Sequence, residues 1–344
     1  DLWPSEIRPL YTAPLASRRR ATFHIKRLAG GTVAGFHERQ GPQIINPEGC
    51  TILHPDLVCL LEGLRALCDE HFPIGVMIDA TANMLDQGIC LHLAVVGGTD
   101  AGDAFEKSLA KSASLMAAIG DWAAASGLAR LSLMPSDVTA AQLTYGDVTA
   151  IPLYAPVPPI LHFGKIAVSP PAGAFLQASI DGEAQLQTAV AEITKGAKSV
   201  VDLFAGCGTL SLPLLGQVTH LLAVEQDRHA LASLKAGVDA AGLGARVTTE
   251  LTDLINAPLT GDALAGVDAV ILDPPRGGAA NQCAALSRSP VPRIAMVSCN
   301  PSTFARDAEI LCDGGYNCDW LQIIDQFRMS NHIELVAQFS RIHP

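Results

Sequence analysis

The ten residues Val200–Val201–Asp202–Leu203–Phe204–Ala205–Gly206–Cys207–Gly208–Thr209 constrain this chain more than any others. A buried apolar strand runs into a glycine-rich turn and then a helix, the opening unit of a doubly wound α/β sheet. Gly206 and Gly208 let the backbone approach a ligand where a β-carbon would clash. The following tract alternates in the same way. It predicts strands at 199–203, 221–225, 246–251, 267–272 and 294–298, and helices at 175–193, 209–215 and 228–241. Two further strands, at 320–325 and 333–339, flank a polar turn and read as an antiparallel pair closing the sheet.

Residues 1–160 have another texture. Short alternating runs at 21–28, 31–37, 74–80 and 89–96 predict strands, and helical spacing appears over 55–70 and 103–125. The Pro-rich stretch 151–159 reads as an extended connector. The expectation is therefore two domains: a mixed α+β domain over 1–160, a candidate partner-contacting region, and a Rossmann-like α/β domain over 161–344.

Composition narrows the partners. A formal net charge of −11 argues against broad nonspecific nucleic-acid binding. Any such contact needs a local patch, and Arg18, Arg19, Arg20, Lys26 and Arg27 supply a candidate. A solvated strand edge is the equally weighted reading. No apolar run approaches the roughly 18 residues of a membrane helix; the best, 115–133, is broken by Asp121 and Arg130. With no secretory signal and nine cysteines, a reducing, cytoplasmic setting without membrane attachment is expected. No C-x-x-C pair is present, which counts against a self-contained zinc site. Cys59, Cys68, Cys90, Cys283, Cys312 and Cys318 read as small buried or half-buried residues.

The chemistry gathers at strand ends. Glu225 closes the second strand of the α/β tract, where an acid grips the hydroxyls of an adenosine ribose. A dinucleotide-binding loop would carry a further glycine at position 211, which is serine. Asp253 follows the third strand, facing an adenine or capping a turn. Asp273–Pro274–Pro275–Arg276–Gly277 stiffens the loop after the fourth, at the edge where open α/β sheets bind ligands. Arg276 reads either as positioning a substrate and stabilising developing charge or as one half of an Asp–Arg pair. Cys299 ends the fifth strand at the same edge, and Glu334 opens the last strand, able to bring a carboxylate near that thiol.

These motifs, in this order, resemble the RNA uracil-5-methyltransferases of bacterial ribosomal and transfer RNA. The carriers are Phe175–Leu176–Gln177, the 202–209 loop, Asp273–Gly277, Ser298–Cys299–Asn300–Pro301–Ser302–Thr303 with Arg306–Asp307, and His332–Ile333–Glu334. The resemblance is strong from Ala174 to Phe339 and weaker from the arginine-rich strand to Pro55. It implies a class I methyltransferase using S-adenosylmethionine, with Gln177, Phe204, Thr209, Glu225, Asp253 and Asp273 on the cofactor. Cys299 is then the nucleophile and Glu334 the base. A thiolate adding to carbon 6 of uracil makes carbon 5 nucleophilic, and the base then removes the carbon 5 proton. The surroundings of Cys299 are accordingly expected to favour the thiolate.

Several relatives carry a β-barrel RNA-binding domain and a four-iron, four-sulfur cluster. Gly49–Cys50–Thr51–Ile52–Leu53 resembles the segment bearing the cluster's last ligand. Since the chain opens at Asp1 without three upstream cysteines, either those parts lie upstream, with Cys50 as the fourth ligand, or Cys50 is a plain structural cysteine; the former is the preferred expectation. Cys50 and its flanks favour ribosomal over transfer RNA, and a monomer suits so large a substrate. Thr209 stands where many relatives have asparagine, and Ala205 where many have cysteine. The alternatives are a cytosine-5-methyltransferase, an amino-nitrogen methyltransferase, a noncatalytic RNA-binding factor and a dehydrogenase. Arg276 after the two prolines counts against the first two, Cys299 and Glu334 against the third, and Ser211 against the last.

Overall fold

Alternation of buried and exposed side chains builds both halves of the chain. The computed structural model describes residues 4–38, 41–96, 100–134 and 150–342. Two compact units emerge: residues 15–161 with 169–176, and residues 1–14 with 162–168 and 177–344. The partition departs from a single cut near 160. The first residues form β1 (Glu6–Ile7) and β2 (Tyr11–Thr12), which pair in parallel with a strand near the C-terminus. That strand lies at a sheet edge, and covering an edge satisfies its outward amides and carbonyls.

The first unit is a seven-stranded sheet formed by β3 (Arg20–Leu28), β4 (Gly31–His37), β5 (Ile44–Ile45), β6 (Met77–Leu85), β7 (Gly88–Val95), β8 (Leu128–Met134) and β9 (Ile151–Tyr154). Their order is β5-β4-β3-β6-β7-β8-β9, antiparallel except between β7 and β8. Helices α1 (Pro55–His71), α2 (Asp100–Lys111) and α3 (Ala113–Ala125) contribute Leu57, Leu61, Phe105 and Ile119 to a core shared with Phe23, Ile78, Leu91 and Leu93. Each such side chain contributes about 1.5–3 kcal/mol on burial. The strand expected at 74–80 lies instead at 77–85, because Pro73 and Gly75 (φ +95°) form a turn that leaves Ile74 exposed. The single helix expected over 103–125 is divided at Ser112, whose Oγ accepts the Leu115 amide and caps α3. The Pro-rich connector begins as β9 on the edge of the sheet. Cys59 is exposed on α1, contrary to its buried reading.

In the second unit a short hairpin, β10 (Leu161–Phe163) and β11 (Ile166–Val168), precedes α4 (Ile180–Ile193). That helix begins five residues later than expected because Ser179 caps it. Strands β12 (Ser199–Leu203), β13 (His220–Glu225), β14 (Val247–Leu251), β15 (Ala269–Leu272) and β16 (Arg293–Ser298) are parallel. Helices α5 (Arg228–Ala240) and α6 (Ala280–Ser287) lie between them in sequence, and α7 (Pro301–Asp313) follows β16. The expected helix at 209–215 is a turn followed by a 3-10 segment at Leu212–Gly216, where Pro213 and Gly216 curtail it. Strands β17 (Tyr316–Asp325) and β18 (Glu334–Arg341) complete the order β1-β17-β18-β16-β15-β12-β13-β14, with β2 also on β17. Because β18 runs antiparallel between β16 and β17, the last strand of the chain lies beside the fifth parallel one. The order reverses between β12 and β15, the place where a ligand crevice opens in such sheets.

Candidate active site

Strand register brings the motif residues to one edge of the second unit. Leu203 pairs with both Val224 and Leu272, and Leu272 pairs with Met296. Phe204, Glu225 and Asp273 therefore leave the sheet side by side, and Cys299 leaves β16 at the same edge two residues further on. Ser298 pairs with Leu335, and one step further along that antiparallel register places Cys299 beside Glu334.

The glycine loop is held by its neighbours. Phe204 and Ala205 both donate their amides to the Val224 carbonyl, at 3.0 and 3.1 Å, with Phe204 in the left-handed region (φ 66°). Glu225 shapes the loop, its Oε2 accepting the Gly206 amide at 2.9 Å. Its Oε1 accepts the amides of Gln226 and Asp227, each at 2.8 Å. The two glycines have different reasons. A β-carbon on Gly206 would meet open space, whereas one on Gly208 would collide with Leu212 and Leu234. Gly208 thus also allows the turn to pack on its own core. Thr209 is half-buried, and its carbonyl accepts from Gln187 at 2.9 Å.

Asp202 is the functional candidate that sequence reasoning left out. It is 2% exposed, and its Oδ2 has no hydrogen-bond partner among the described residues. Burial pushes its carboxyl up to about 7, and the charges of Asp273 and Glu225 add to that, against the effect of Ser211. An orphaned carboxylate oxygen beside an open glycine turn, next to Glu225, is a cradle for a ligand carrying amine and hydroxyl donors. The only sequence signal for Asp202 was an acid inside an apolar strand.

Gln177 is also buried, and its Oε1 accepts from Gln326 Nε2 at 3.0 Å. Gln326 Oε1 accepts the Ser179 amide at 3.2 Å, which fixes the orientation of both amide side chains. No pattern marked Gln326 in the sequence. Asp253 caps its own turn: Oδ1 accepts the amides of Ile255 and Asn256, and Oδ2 accepts from Asn256 Nδ2 at 2.7 Å.

The Asp273, Cys299 and Glu334 group has unusual electrostatics. Glu334 is 4% exposed; burial, and then the Asp273 charge, hold its carboxyl well above the usual range. Burial pushes Asp273 up to about 7. The half-buried Cys299 thiol is raised by burial, then by Glu334 and Asp273, against its own backbone amide and Arg276. The expectation of a thiolate-favouring site is thus reversed: the two carboxylates oppose the anion. Among these causes, Arg276 is the cationic side chain that favours it.

Elsewhere the expected features fare differently. Arg19 is buried, desolvation lowers the pKa of Arg18 and Arg20, and Arg27 pairs with Asp69 at 3.3 Å. Lys26 is exposed, so the run does not form a continuous basic surface. Cys50 is half-buried against the core of the first unit, and no group of three or more His, Cys, Asp or Glu among the described residues can hold a metal ion. The described residues therefore do not fit an iron–sulfur cluster, which needs four thiolates. No described helix is long and apolar enough to cross a membrane.

Comparison with known proteins points to RNA methyltransferases. The family described as tRNA (Uracil-5-)-methyltransferase matches residues 165–341. An uncharacterized RNA methyltransferase of Mesorhizobium japonicum is 36% identical over 93% of this chain and 71% of its own length. The 23S rRNA (uracil(1939)-C(5))-methyltransferase RlmD of Chromohalobacter salexigens is 32% identical, covering 98% of this chain and 68% of its own. Among solved structures, the Pyrococcus abyssi tRNA (uracil-54, C5)-methyltransferase in complex with S-adenosyl-L-homocysteine superposes with a TM-score of 0.70 at 18% identity, over 97% of this chain and 77% of that one. The last similarity bears on the fold alone, which is that of Rossmann-like methyltransferases.

Proposed function

The chain belongs to the RNA uracil-5-methyltransferases, and from that membership we propose that it methylates carbon 5 of a uridine in 23S ribosomal RNA, with Cys299 as nucleophile and Glu334 as base. The observation that carries the residue assignment is the register that sets Cys299 beside Glu334 at the switch-point edge. S-adenosylmethionine supplies an electrophilic methyl group on a sulfonium. In this reading Asp202, Phe204, Gly206, Thr209 and Glu225 hold it, with Gln177, Asp253 and Asp273 around them. Gly208 supports that loop by packing.

The Cys299 sulfur adds to carbon 6 of uracil, and the ring electrons pass to the carbon 4 carbonyl, leaving carbon 5 nucleophilic. Arg276 opposes the carboxylates that resist the thiolate. Once carbon 5 has accepted the methyl group, Glu334 removes its proton, the carbon 5–carbon 6 double bond reforms and the Cys299 thiolate leaves. A carboxylate whose pKa is raised is a stronger base for that step than an ordinary one. The base must leave its stack to reach a crevice of this kind.

Ribosomal RNA is favoured by the RlmD relative, 32% identical over 98% of this chain, and by the Cys50 segment. Transfer RNA is the second reading, favoured by the family description. Methyl-labelled S-adenosylmethionine incubated with unmodified 23S rRNA or tRNA, followed by nucleoside digestion, tests both. Label in 5-methyluridine from 23S rRNA is expected. Label only in tRNA overturns the RNA assignment, and label in 5-methylcytidine overturns the base.

A further inference from the structure

The loop after β15 and the first turns of α7 are tied together by side chains with no role in the chemistry above. The Asn300 Nδ2 and Thr303 Oγ1 atoms donate to the Arg276 carbonyl, at 3.1 and 3.3 Å. Further along the helix, Arg306 Nη2 donates to the Gly277 carbonyl at 3.0 Å. Asp307 is fully buried; its Oδ2 accepts the Ala279 amide at 2.7 Å, and its Oδ1 accepts from Arg306 Nε at 2.8 Å. Arg306 Nη2 lies 2.6 Å from that same oxygen. Gly278 (φ +76°) passes so close that a β-carbon there would collide with Arg306 and Asp307.

A buried carboxylate held by an arginine and an amide is costly to break and has a fixed geometry. This clasp spans the junction of two site elements. On one side, Asp273 and Arg276 lie on the loop; on the other, Cys299 directly precedes Asn300, the N-cap of α7. Resting on the proposed roles of Cys299 and Arg276, we infer that Asp307, through Arg306 and the Ala279 amide, is a positioning residue that sets the Arg276–Gly277 segment against Cys299. It touches neither RNA nor cofactor in this role. Displacing reacting groups by about 1 Å costs on the order of 100-fold in rate, so loosening the clasp should act on turnover and not on binding.

The test compares wild type with Asp307→Asn, which keeps the side-chain size, and with Gly278→Ala, which forces the same contact from the loop side. Three quantities are measured per folded molecule: the rate of covalent adduct formation with 5-fluorouridine-substituted RNA, the Kd for S-adenosylmethionine, and amide hydrogen exchange of residues 276–280. Both variants should form the adduct about 10–100-fold more slowly, with the cofactor Kd within about threefold and faster exchange in the loop. An unchanged adduct rate, or a rate loss matched by the loss of cofactor binding, overturns the inference. Loop exchange equal to wild type overturns the clasp itself, and that readout needs no turnover. A wild-type protein that forms no adduct with any RNA would instead count against the proposed nucleophile.

Discussion

Glu334 is the cross-strand neighbour of Cys299, one step beyond the Ser298–Leu335 pair of β16 and β18. The two side chains come from positions far apart in sequence, and the antiparallel insertion of β18 makes them adjacent. Glu334 is buried, and it raises the Cys299 thiol after burial itself has done so. Glu334 and Cys299 are thus electrostatically opposed in the protein alone.

Cys299→Ala should lower methyl transfer by roughly 10³-fold or more, the scale expected for loss of a covalent nucleophile, with the cofactor Kd unchanged. Glu334→Gln should still form the carbon 6 adduct but accumulate it, because the carbon 5 proton is not removed. Denaturing gel electrophoresis with labelled RNA reads both; rapid release of methylated RNA from Glu334→Gln would exclude it as the base.

The pH dependence has a fixed sign. The Cys299 thiol and the Glu334 carboxyl are both raised, and both act deprotonated, so kcat/KM should rise with pH through neutrality and into the alkaline range. Removing the Glu334 charge removes one cause of the raised thiol. Alkylation of Cys299, followed peptide by peptide by mass spectrometry, should therefore reach its midpoint at lower pH in Glu334→Gln than in wild type. A midpoint that stays fixed would show that the two groups do not interact.

Glu225→Ala should weaken both cofactor binding and the fold. Three backbone amides, those of Gly206, Gln226 and Asp227, lose their acceptor. An unsatisfied buried donor costs about 1–3 kcal/mol. The cofactor Kd should rise about tenfold or more and Tm should fall. By contrast, Asp253→Asn should change the Kd less, since Asp253 already serves its own turn. Isothermal titration of the two variants ranks them, and the reverse ranking would contradict the geometry.

Asp202→Asn should stabilise the protein in a pH-dependent way. The folded-state carboxyl titrates at about 7, above its ordinary value near 4. Between those values the folded chain holds a proton that the unfolded chain releases, so stability declines as pH rises across that window. Asparagine removes the decline. The Tm gain over wild type should be larger at pH 8 than at pH 5, each ~1 kcal/mol corresponding to roughly 2–4 °C. Equal gains at both pH values would place the ionised carboxylate in a better environment than its burial implies.

The alternation of strands and helices after residue 177 was legible in the sequence, because five buried runs with glycine and proline between them suit little besides a parallel sheet with crossovers. The 202–209 loop, Glu225, Asp273, Cys299 and Glu334 could be singled out there because each sits at the end of such a run. Helix limits were less legible. Ser112 and Ser179 reset them through single side-chain hydrogen bonds that periodicity does not register. Tertiary structure alone decided the rest. It gave Gly208 to the core and Asp253 to its turn, oriented Gln177 through Gln326, joined Arg306 and Asp307 to the loop after β15, and opposed the thiolate at Cys299. The physical reason is common to all of these. Local sequence sets period and turn chemistry, whereas register, desolvation and the partner of a buried polar atom depend on which distant segment packs against it.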